Sequence, residues 1–351
     1  MRFYDVMQLN AAQTKELLKK TEDLQEKRKY RCAFVVKNIL CILFCMLVVI
    51  SFSTVLGSEN SIVGVVVLLS VLSMRQADLD IKAGQGAAVI IGIFAVLAAA
   101  PHAASICSPL PAAAINLAGF LLILILSCHN IYMFNHATFV LSYILLLGYD
   151  VSGELYFKRV AGLMAGALMI SGIYYMKHRK KEFSCTFSQL FRDFLVWDER
   201  TRWQVKSAVG ITAGMLIGSL LGLPRVMWIG FSCMSLLSPL GQTVVPRFRQ
   251  RIMGVLAGCL LFVVLYSLLP GDPNAYIGII GGIGVGFSGT YGWQTVFNCF
   301  GSLAMAVGTL GVPGAVFFRI LHNAAGALYS LIFHKVYESG NTLLLKEDNG
   351  W

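Results

Sequence analysis

The chain has 351 residues, of which 57% are hydrophobic and 13% are charged, and its mean hydropathy is +0.71. Soluble proteins carry about 25% charged residues, so this composition excludes an ordinary soluble domain and indicates a membrane protein. The net charge of +10 comes mainly from short segments between apolar stretches, which the positive-inside rule places in the cytoplasm. The sequence lacks a basic module with interleaved aromatic residues, so nucleic acid is not an expected partner.

Apolar stretches begin after a polar segment, residues 1–32, which we predict to be cytoplasmic. Six stretches follow in the first half of the chain, at 33–57, 61–74, 84–100, 111–128, 131–148 and 155–176. Six more follow in the second half, at 205–222, 226–240, 250–269, 275–290, 292–311 and 313–334. The pattern predicts an all-α polytopic membrane protein with about twelve transmembrane helices. Several stretches are shorter than the roughly 20 residues of a straight span, so some helices are expected to be short or broken.

The distribution of basic residues predicts the orientation of these helices. With the N-terminus inside, every Lys and Arg lies on a cytoplasmic segment except Lys158, Arg159, Arg225 and Arg319. The chain is therefore predicted to be a multi-pass protein of the cell membrane with both termini in the cytoplasm. Residues 336–351 form the predicted cytoplasmic tail.

A sequence repeat relates the two halves. Residues 159–168 read Arg-Val-Ala-Gly-Leu-Met-Ala-Gly-Ala-Leu, and residues 319–328 read Arg-Ile-Leu-His-Asn-Ala-Ala-Gly-Ala-Leu. Self-similarity within hydrophobic sequence is typical of transporters built from structural repeats. We therefore predict two six-helix repeats, 33–176 and 205–335. An even number of spans in each makes the repeats parallel.

The segment between the repeats, residues 177–204, is a predicted cytoplasmic connector. Apolar residues recur on one helical face between residues 183 and 195, among them Phe187, Leu190 and Phe191. This amphipathic helix is expected either to lie on the inner membrane surface or to pack on the cytoplasmic face of the protein itself. Burial of Phe187 and Phe191 is expected to hold it in place.

The densest motif begins with Trp228-Ile-Gly and Ser238-Pro239 and continues as Arg247-x3-Arg251-Ile-x-Gly254-x3-Gly258. Tyr291, Thr295 and Arg319-x6-Gly326-Ala complete it. The pattern resembles the integral-membrane domain of the fusaric acid resistance-like (FUSC) transporters, also called aromatic acid exporters, to which plant aluminium-activated malate channels are distantly related. The resemblance covers 203–335 clearly and 33–176 more weakly. Two features depart from the family: Gly254 is followed by Val255 instead of Thr, and the large cytoplasmic domain is reduced to the connector.

Arg319 is the strongest candidate site residue on the sequence alone, independently of the family resemblance. An arginine inside a membrane is costly, so it faces a cavity, a partner or a substrate, or extends to the interface. Arg159 occupies the matching repeat position, with Glu154 as the expected partner. His322 and Asn323 lie on the same helical face as Arg319, as further substrate contacts or as a packing pair. Trp228 and Tyr291 are candidates to contact a substrate ring.

Three arginines near one helix start, Arg247, Arg249 and Arg251, are predicted to form an anion vestibule or to anchor the cytoplasmic end of the helix. Pairs of glycines four residues apart, such as Gly254 and Gly258, predict close helix packing. Neither a metal-ligand spacing nor a cofactor motif occurs, so no metal or cofactor is predicted.

The resemblance implies a membrane transporter that exports aromatic or other organic carboxylate anions. The expected partners are this small anionic substrate and the lipid bilayer, and a homo-oligomer stays open. The spans lack paired carboxylates and nucleophile motifs, so an enzyme is not expected. Two alternatives remain: an anion channel related to the malate channels, and a non-transporting membrane protein that binds another protein.

Overall fold

A computed structural model of the chain describes residues 3–239, 244–271 and 273–348, and this part of the chain is α-helical without β-strands. The all-α prediction is confirmed. The helices are α1 (Phe3–Gln8), α2 (Ala11–Lys20), α3 (Leu24–Leu56), α4 (Ser61–Met74), α5 (Ala83–Ser105), α6 (Pro109–Ser127), α7 (His136–Gly148), α8 (Glu154–His178), α9 (Phe187–Phe194), α10 (Glu199–Leu220), α11 (Met227–Leu236), α12 (Val244–Leu268), α13 (Pro273–Phe287) and α14 (Tyr291–Asp348).

Every predicted apolar stretch contains helix, but the helices differ in length. Six in the described part of the chain are long and apolar enough to cross a membrane: α3, α5, α6, α8, α12 and α14. The apolar helices α4, α7, α11 and α13 are shorter. These features indicate an integral membrane protein, whereas twelve crossings and the parallel repeats stay predictions.

The breaks between helices follow the sequence closely. The polar residues at 127–130 separate α6 from α7, and those at 288–290 separate α13 from α14. Within α14, Gly311 has a non-helical backbone with φ 65° and ψ 169°, and Pro313 follows two residues later. Only glycine adopts such a positive φ at little cost, so this position divides α14 into two segments.

The described residues form two compact units. The first consists of residues up to 47 and residues 245–325, and the second consists of residues 48–244 and residues from 326 onward. Three helices, α3, α12 and α14, therefore contribute to both units. The predicted domain boundaries at 32, 176, 204 and 335 stay predictions. Of the predicted tail, residues 349–351 lie outside the described residues.

In the first unit, the polar N-terminal segment packs against the beginning of α3. Val6, Tyr30 and Ala33 form a buried cluster, covered by the partly buried side chains of Met7, Leu17 and Leu18. The Phe34 ring meets Phe287 of α13 edge-on, with 5.2 Å between the ring centroids. The helix α3 begins at Leu24, nine residues before the predicted apolar stretch, because the intervening charged residues are good helix formers.

Glycines bring α12 and the first segment of α14 into backbone contact. A Cβ atom on Gly258 would lie 2.5 Å from the carbonyl oxygen of Val296. One on Gly254 would lie 2.9 Å from the carbonyl oxygen of Gly292. Any larger side chain would push these helices apart. The predicted packing role of this glycine pair is confirmed.

In the second unit, α5 packs against α6, α7 and α8, while α10 packs against α6 and α11. The segment of α14 after residue 325 lies along α10. There the Lys206 Nζ atom is 2.7 Å from Glu338 Oε1, and Gly210 faces the ring of Phe333. Gly214 likewise faces Tyr329, so small residues again permit close helix contact.

The connector contains α9, a shorter helix than predicted. Thr186 and Gln189 form a capping box at its start. Leu190 is 2% exposed, whereas Phe187 and Phe191 are 43% and 39% exposed. The two phenylalanines are thus not buried against the protein itself, although α9 packs on α5 and α6. Burial of their rings in the inner membrane surface stays a prediction. Of the two expected placements, packing on the protein itself is the one observed for Leu190.

Candidate functional site

Arg251, on the second turn of α12, is the centre of a buried polar cluster in the first unit. Its Nη1 atom donates a hydrogen bond of 3.0 Å to the Tyr291 hydroxyl. Its Nη2 atom donates one of 2.7 Å to Asn323 Oδ1. Asn323 in turn donates from Nδ2 to the carbonyl oxygen of Arg319 at 2.8 Å. The guanidinium is thus held at two donors by groups from both segments of α14.

These contacts show that α14 folds back at Gly311. Tyr291 and Asn323 are 32 residues apart in the chain, and a straight helix of that length would separate them by about 48 Å. One arginine side chain contacts both. The segment after Gly311 must therefore return toward the start of α14. The fold-back brings Arg319 and Asn323 to Arg251, which no local spacing in the sequence indicated.

Arg319 lies deep in the same unit. Its side chain is 5% exposed, and that of Arg251 is 7% exposed. The Arg319 guanidinium is within hydrogen-bonding reach of the Cys299 thiol, which itself lies beside Cys259. His322 is fully buried, and its ring lies 5.5 Å from that of Phe318. The predicted group Arg319, His322, Asn323 and Tyr291 thus lies in one unit together with Arg251.

The charge balance of this segment is strongly positive. Between residues 244 and 325 the sequence contains four arginines and one acidic residue, Asp272, which lies outside the described residues. Three of these arginines occupy the first turns of α12, where the helix dipole disfavours cations and favours anions. Two of the four, Arg251 and Arg319, are buried. Burial of this much positive charge is favourable only if negative or strongly polar groups compensate it.

The other two arginines of the predicted vestibule differ from Arg251. The Arg247 guanidinium lies over the Tyr291 ring, 5.3 Å from its centroid, which is a cation–π geometry. Arg249 is exposed. Tyr291 therefore contacts Arg251 through its hydroxyl and Arg247 through its ring. This tyrosine thus connects the less buried Arg247 with the buried Arg251.

Arg159 belongs to the second unit and contacts polar groups of the protein there. Its Nε atom donates a hydrogen bond of 3.0 Å to Asn60 Oδ1, and its Nη1 atom lies 3.9 Å from Asp150 Oδ1. The expected partner Glu154 instead pairs with Lys158 at 2.8 Å. The pairing was wrongly predicted because Glu154 and Lys158 are one helical turn apart on the same exposed face, whereas Arg159 turns inward.

Asp150 is a polar centre that the sequence reading missed. Besides Arg159, it accepts a hydrogen bond of 2.6 Å from Ser105 Oγ and lies 3.0 Å from His102 Nδ1. The His102 ring stacks on Tyr156 at 3.8 Å. This network joins the end of α5 to the start of α8. Its members are far apart in the sequence, so only the fold brings them together.

Trp228 of α11 and a neighbouring cavity also lie in the second unit. The Trp228 side chain is fully buried. The cavity has a volume of about 350 Å³, within the range of small-molecule sites, and polar residues line it, including Asn116, Thr212 and Arg225. The Arg225 guanidinium lies 5.3 Å from the centroid of the Tyr149 ring. The span count made Arg225 one of four basic residues near the outer side or within a span, but its place in a cavity was not predicted.

Comparison with known proteins gives a family match for one segment of the chain, which includes the polar cluster around Arg251 as well as Trp228. Residues 212–333 match the family described as fusaric acid resistance protein-like. The resemblance is confirmed. This fusaric acid resistance protein-like segment contains Trp228, Arg251, Tyr291 and Arg319, the residues on which the resemblance was based. No curated protein and no solved structure is significantly similar to the chain.

The family indicates the general role of the chain. Fusaric acid resistance protein-like members act in membrane transport and efflux, and the apolar helices of this chain agree with an integral membrane protein. Two buried arginines, Arg251 and Arg319, lie in the matched segment.

Proposed function

We propose that the protein exports organic carboxylate anions, aromatic ones in particular, and that Arg251 and Arg319 bind the carboxylate. The observation that carries this proposal is the pair of buried arginines in a segment with four arginines and a single acidic residue. A membrane-embedded arginine is costly unless it serves a substrate path or a partner. An anionic substrate compensates the charge while it is bound.

The chemistry of the cluster suits a carboxylate. Arginine presents a planar fork that binds two carboxylate oxygens at once. Tyr291 and Asn323 hold Arg251 in one orientation, so little conformational entropy is lost when a substrate arrives. The half-buried Tyr291 ring offers a surface for an aromatic substrate, whereas His322 is fully buried and stays a sequence prediction as a substrate contact. Arg247 and Arg249, near the start of α12, attract anions toward the cluster.

The cavity of the second unit supports the same substrate class. Its volume accommodates a small ring-bearing acid, and Arg225, Asn116 and Thr212 supply one cation and two polar groups. We include it in the proposal as a second binding position. Trp228 and Arg159 stay sequence predictions as substrate contacts.

Flux into sealed proteoliposomes tests the proposal. Uptake of a labelled aromatic carboxylate is measured with and without a proton gradient, for the unmodified protein and for Arg319→Ala and Arg319→Lys. We expect Arg319→Ala to lower the apparent affinity about ten- to hundredfold, as the loss of a charge-assisted contact of about 1.5–3 kcal/mol predicts. Arg319→Lys should keep part of the transport activity if only a positive charge is needed. It should lose transport almost as completely as Arg319→Ala if the planar guanidinium is needed.

Arg75→Ala is the matched control, because Arg75 is exposed at the end of α4. All three variants, Arg319→Ala, Arg319→Lys and Arg75→Ala, must reach the membrane at normal abundance. If the Arg319→Ala protein is abundant and transports like the unmodified protein, Arg319 is not part of the substrate site. Voltage-driven flux that does not depend on the proton gradient would indicate an anion channel. Absence of flux for every carboxylate tried would favour a non-transporting interaction protein.

A further inference from the structure

Three side chains of different ligand chemistry meet in the second unit, beside the connector. Asp80 lies between α4 and α5, His129 between α6 and α7, and Cys185 between α8 and α9. One ligand atom from each lies within 4.8 Å of the other two. The residues come from three separate loops, so no short sequence spacing indicated the cluster. None of them belongs to the proposed substrate site.

Backbone contacts hold two of these loops together. The Lys82 amide donates a hydrogen bond of 3.1 Å to the Cys185 carbonyl oxygen. Two residues further, the Phe187 amide donates one of 2.8 Å to Gln85 Oε1. Cys185 is thereby fixed beside Asp80, whose own backbone has a φ of 59°. The ligand atoms are brought together by the fold itself.

His129 has the environment of a metal-binding histidine. Its Nδ1 atom lies 2.9 Å from Asp80 Oδ2, and its Nε2 atom lies 3.1 Å from Asp193 Oδ2. Histidines that bind metals commonly donate their second ring N–H to a carboxylate, which fixes the tautomer and strengthens the ligand. Asp193 of α9 supplies that carboxylate. Nδ1 is then directed at Asp80 and Cys185.

We propose that Asp80, His129 Nδ1 and Cys185 Sγ bind a zinc-class divalent cation, with Asp193 orienting the histidine. Zinc accepts mixed sulfur, nitrogen and oxygen ligands in a tetrahedron, whereas calcium and magnesium prefer oxygen ligands alone. Zinc bond lengths place tetrahedral ligands about 3.3–3.5 Å apart. Small side-chain rotations of the three partly exposed residues widen the 2.9 Å separation of His129 Nδ1 and Asp80 Oδ2 and bring the Cys185 sulfur, within 4.8 Å of both, to the required distance. On binding, the proton of the Cys185 thiol and any proton on His129 Nδ1 are released to solvent, and the resulting thiolate sulfur and the ring nitrogen bind the ion.

Such an ion joins the connector to the helix bundle. Cys185 and Asp193 belong to residues 177–204, while Asp80 and His129 belong to loops between bundle helices. Binding therefore fixes α9 against the ends of α5 and α6, and it makes the position of the connector depend on the metal concentration. This role is independent of the proposed transport function, and its test does not require transport.

Cobalt titration of the purified full chain tests the site. The protein in detergent is freed of metal with a chelator, and Co²⁺ is added while the near-ultraviolet absorbance is recorded. We expect one equivalent to produce a thiolate-to-cobalt charge-transfer band, which Zn²⁺ then removes. Cys185→Ser and His129→Gln should lose the band. Cys107→Ser, which replaces an exposed cysteine remote from the cluster, should retain it.

Asp193→Asn separates coordination from orientation. The band should persist at saturating Co²⁺, with an affinity about 10–100-fold weaker, as for other second carboxylates behind a metal-bound histidine. Zn²⁺ should also slow proteolysis within residues 177–204 of the unmodified protein but not of Cys185→Ser. The proposal is overturned if the unmodified protein shows no thiolate-to-cobalt band. It is also overturned if the Cys185→Ser protein elutes as a folded protein and shows an unchanged band. The cluster is then a histidine hydrogen-bonded to two carboxylates.

Discussion

Arg251 donates a hydrogen bond of 2.7 Å to Asn323 Oδ1 and thereby joins the start of α12 to the returning segment of α14. The same guanidinium binds the Tyr291 hydroxyl through its other terminal nitrogen. Both acceptors are engaged at once only because the guanidinium is a planar fork. The cluster is thus defined by the shape of the side chain as well as by its charge.

Replacement of Arg251 by lysine should therefore impair transport although the positive charge is kept. A lysine ammonium cannot reproduce the two directed contacts to Tyr291 and Asn323, so the apparent affinity for an aromatic carboxylate should fall about ten- to hundredfold. The measurement is the concentration dependence of uptake in proteoliposomes, with Arg75→Lys as the control. Unmodified affinity in Arg251→Lys would show that the fork is not needed.

Replacement of Arg159 by alanine should act on stability more than on transport. The substitution leaves the side-chain oxygen Asn60 Oδ1 without its 3.0 Å donor and removes a charge near Asp150. Loss of a buried partner costs about 1–3 kcal/mol, so the thermal unfolding midpoint should fall. Glu154→Ala, which removes only the exposed pair with Lys158, should leave the midpoint unchanged. A normal midpoint with abolished flux would assign Arg159 to the anion path after all.

Replacement of Gly258 by alanine should destabilise the first unit. The new Cβ atom would lie 2.5 Å from the Val296 carbonyl oxygen, and neither backbone can move without displacing a helix. Overpacking of this kind costs about 1–3 kcal/mol. Gly278→Ala is the matched control, because nothing lies within 4 Å of its Cβ position. Thermal unfolding in detergent distinguishes the two, and equal midpoints would contradict the observed helix contact.

Leu190, not the neighbouring phenylalanines, should anchor the connector. Full burial of a leucine contributes about 1.5–3 kcal/mol, and Leu190 is 2% exposed. Leu190→Asp should make residues 177–204 sensitive to protease, whereas Phe187→Asp should have a smaller effect because that ring is 43% exposed. Limited proteolysis of both variants measures this. Greater sensitivity in Phe187→Asp would indicate that its exposed face docks on lipid.

Cysteine labelling tests the predicted orientation. In variants that keep one cysteine each, Cys185 should react with an impermeant thiol reagent only from the cytoplasmic side. Cys107, exposed in the loop between α5 and α6, should react in intact cells. Labelling of Cys185 in intact cells would contradict the twelve-span orientation. Failure of Cys107 to react in intact cells would contradict the outer placement of its loop.

The sequence by itself determined the local features of this protein. Hydrophobic composition and polar interruptions located the helices and the breaks near residues 128, 290 and 311, because both depend on residues adjacent in the chain. Glycines four residues apart indicated helix contact for the same reason. The fusaric acid resistance protein-like resemblance was likewise readable from the motif between Trp228 and Arg319.

Only the tertiary structure decided which polar side chains meet. Arg251 reaches Asn323 across 72 positions of sequence, and Asp80, His129 and Cys185 come from three loops. Arg159 turns to Asp150 and Asn60 instead of Glu154, and Leu190 is buried instead of Phe187. Such pairings depend on the fold-back at Gly311 and on helix rotation within each unit. The physical reason is that packing selects partners by direction in space, and the spacing of residues along one helix does not specify the neighbouring helix.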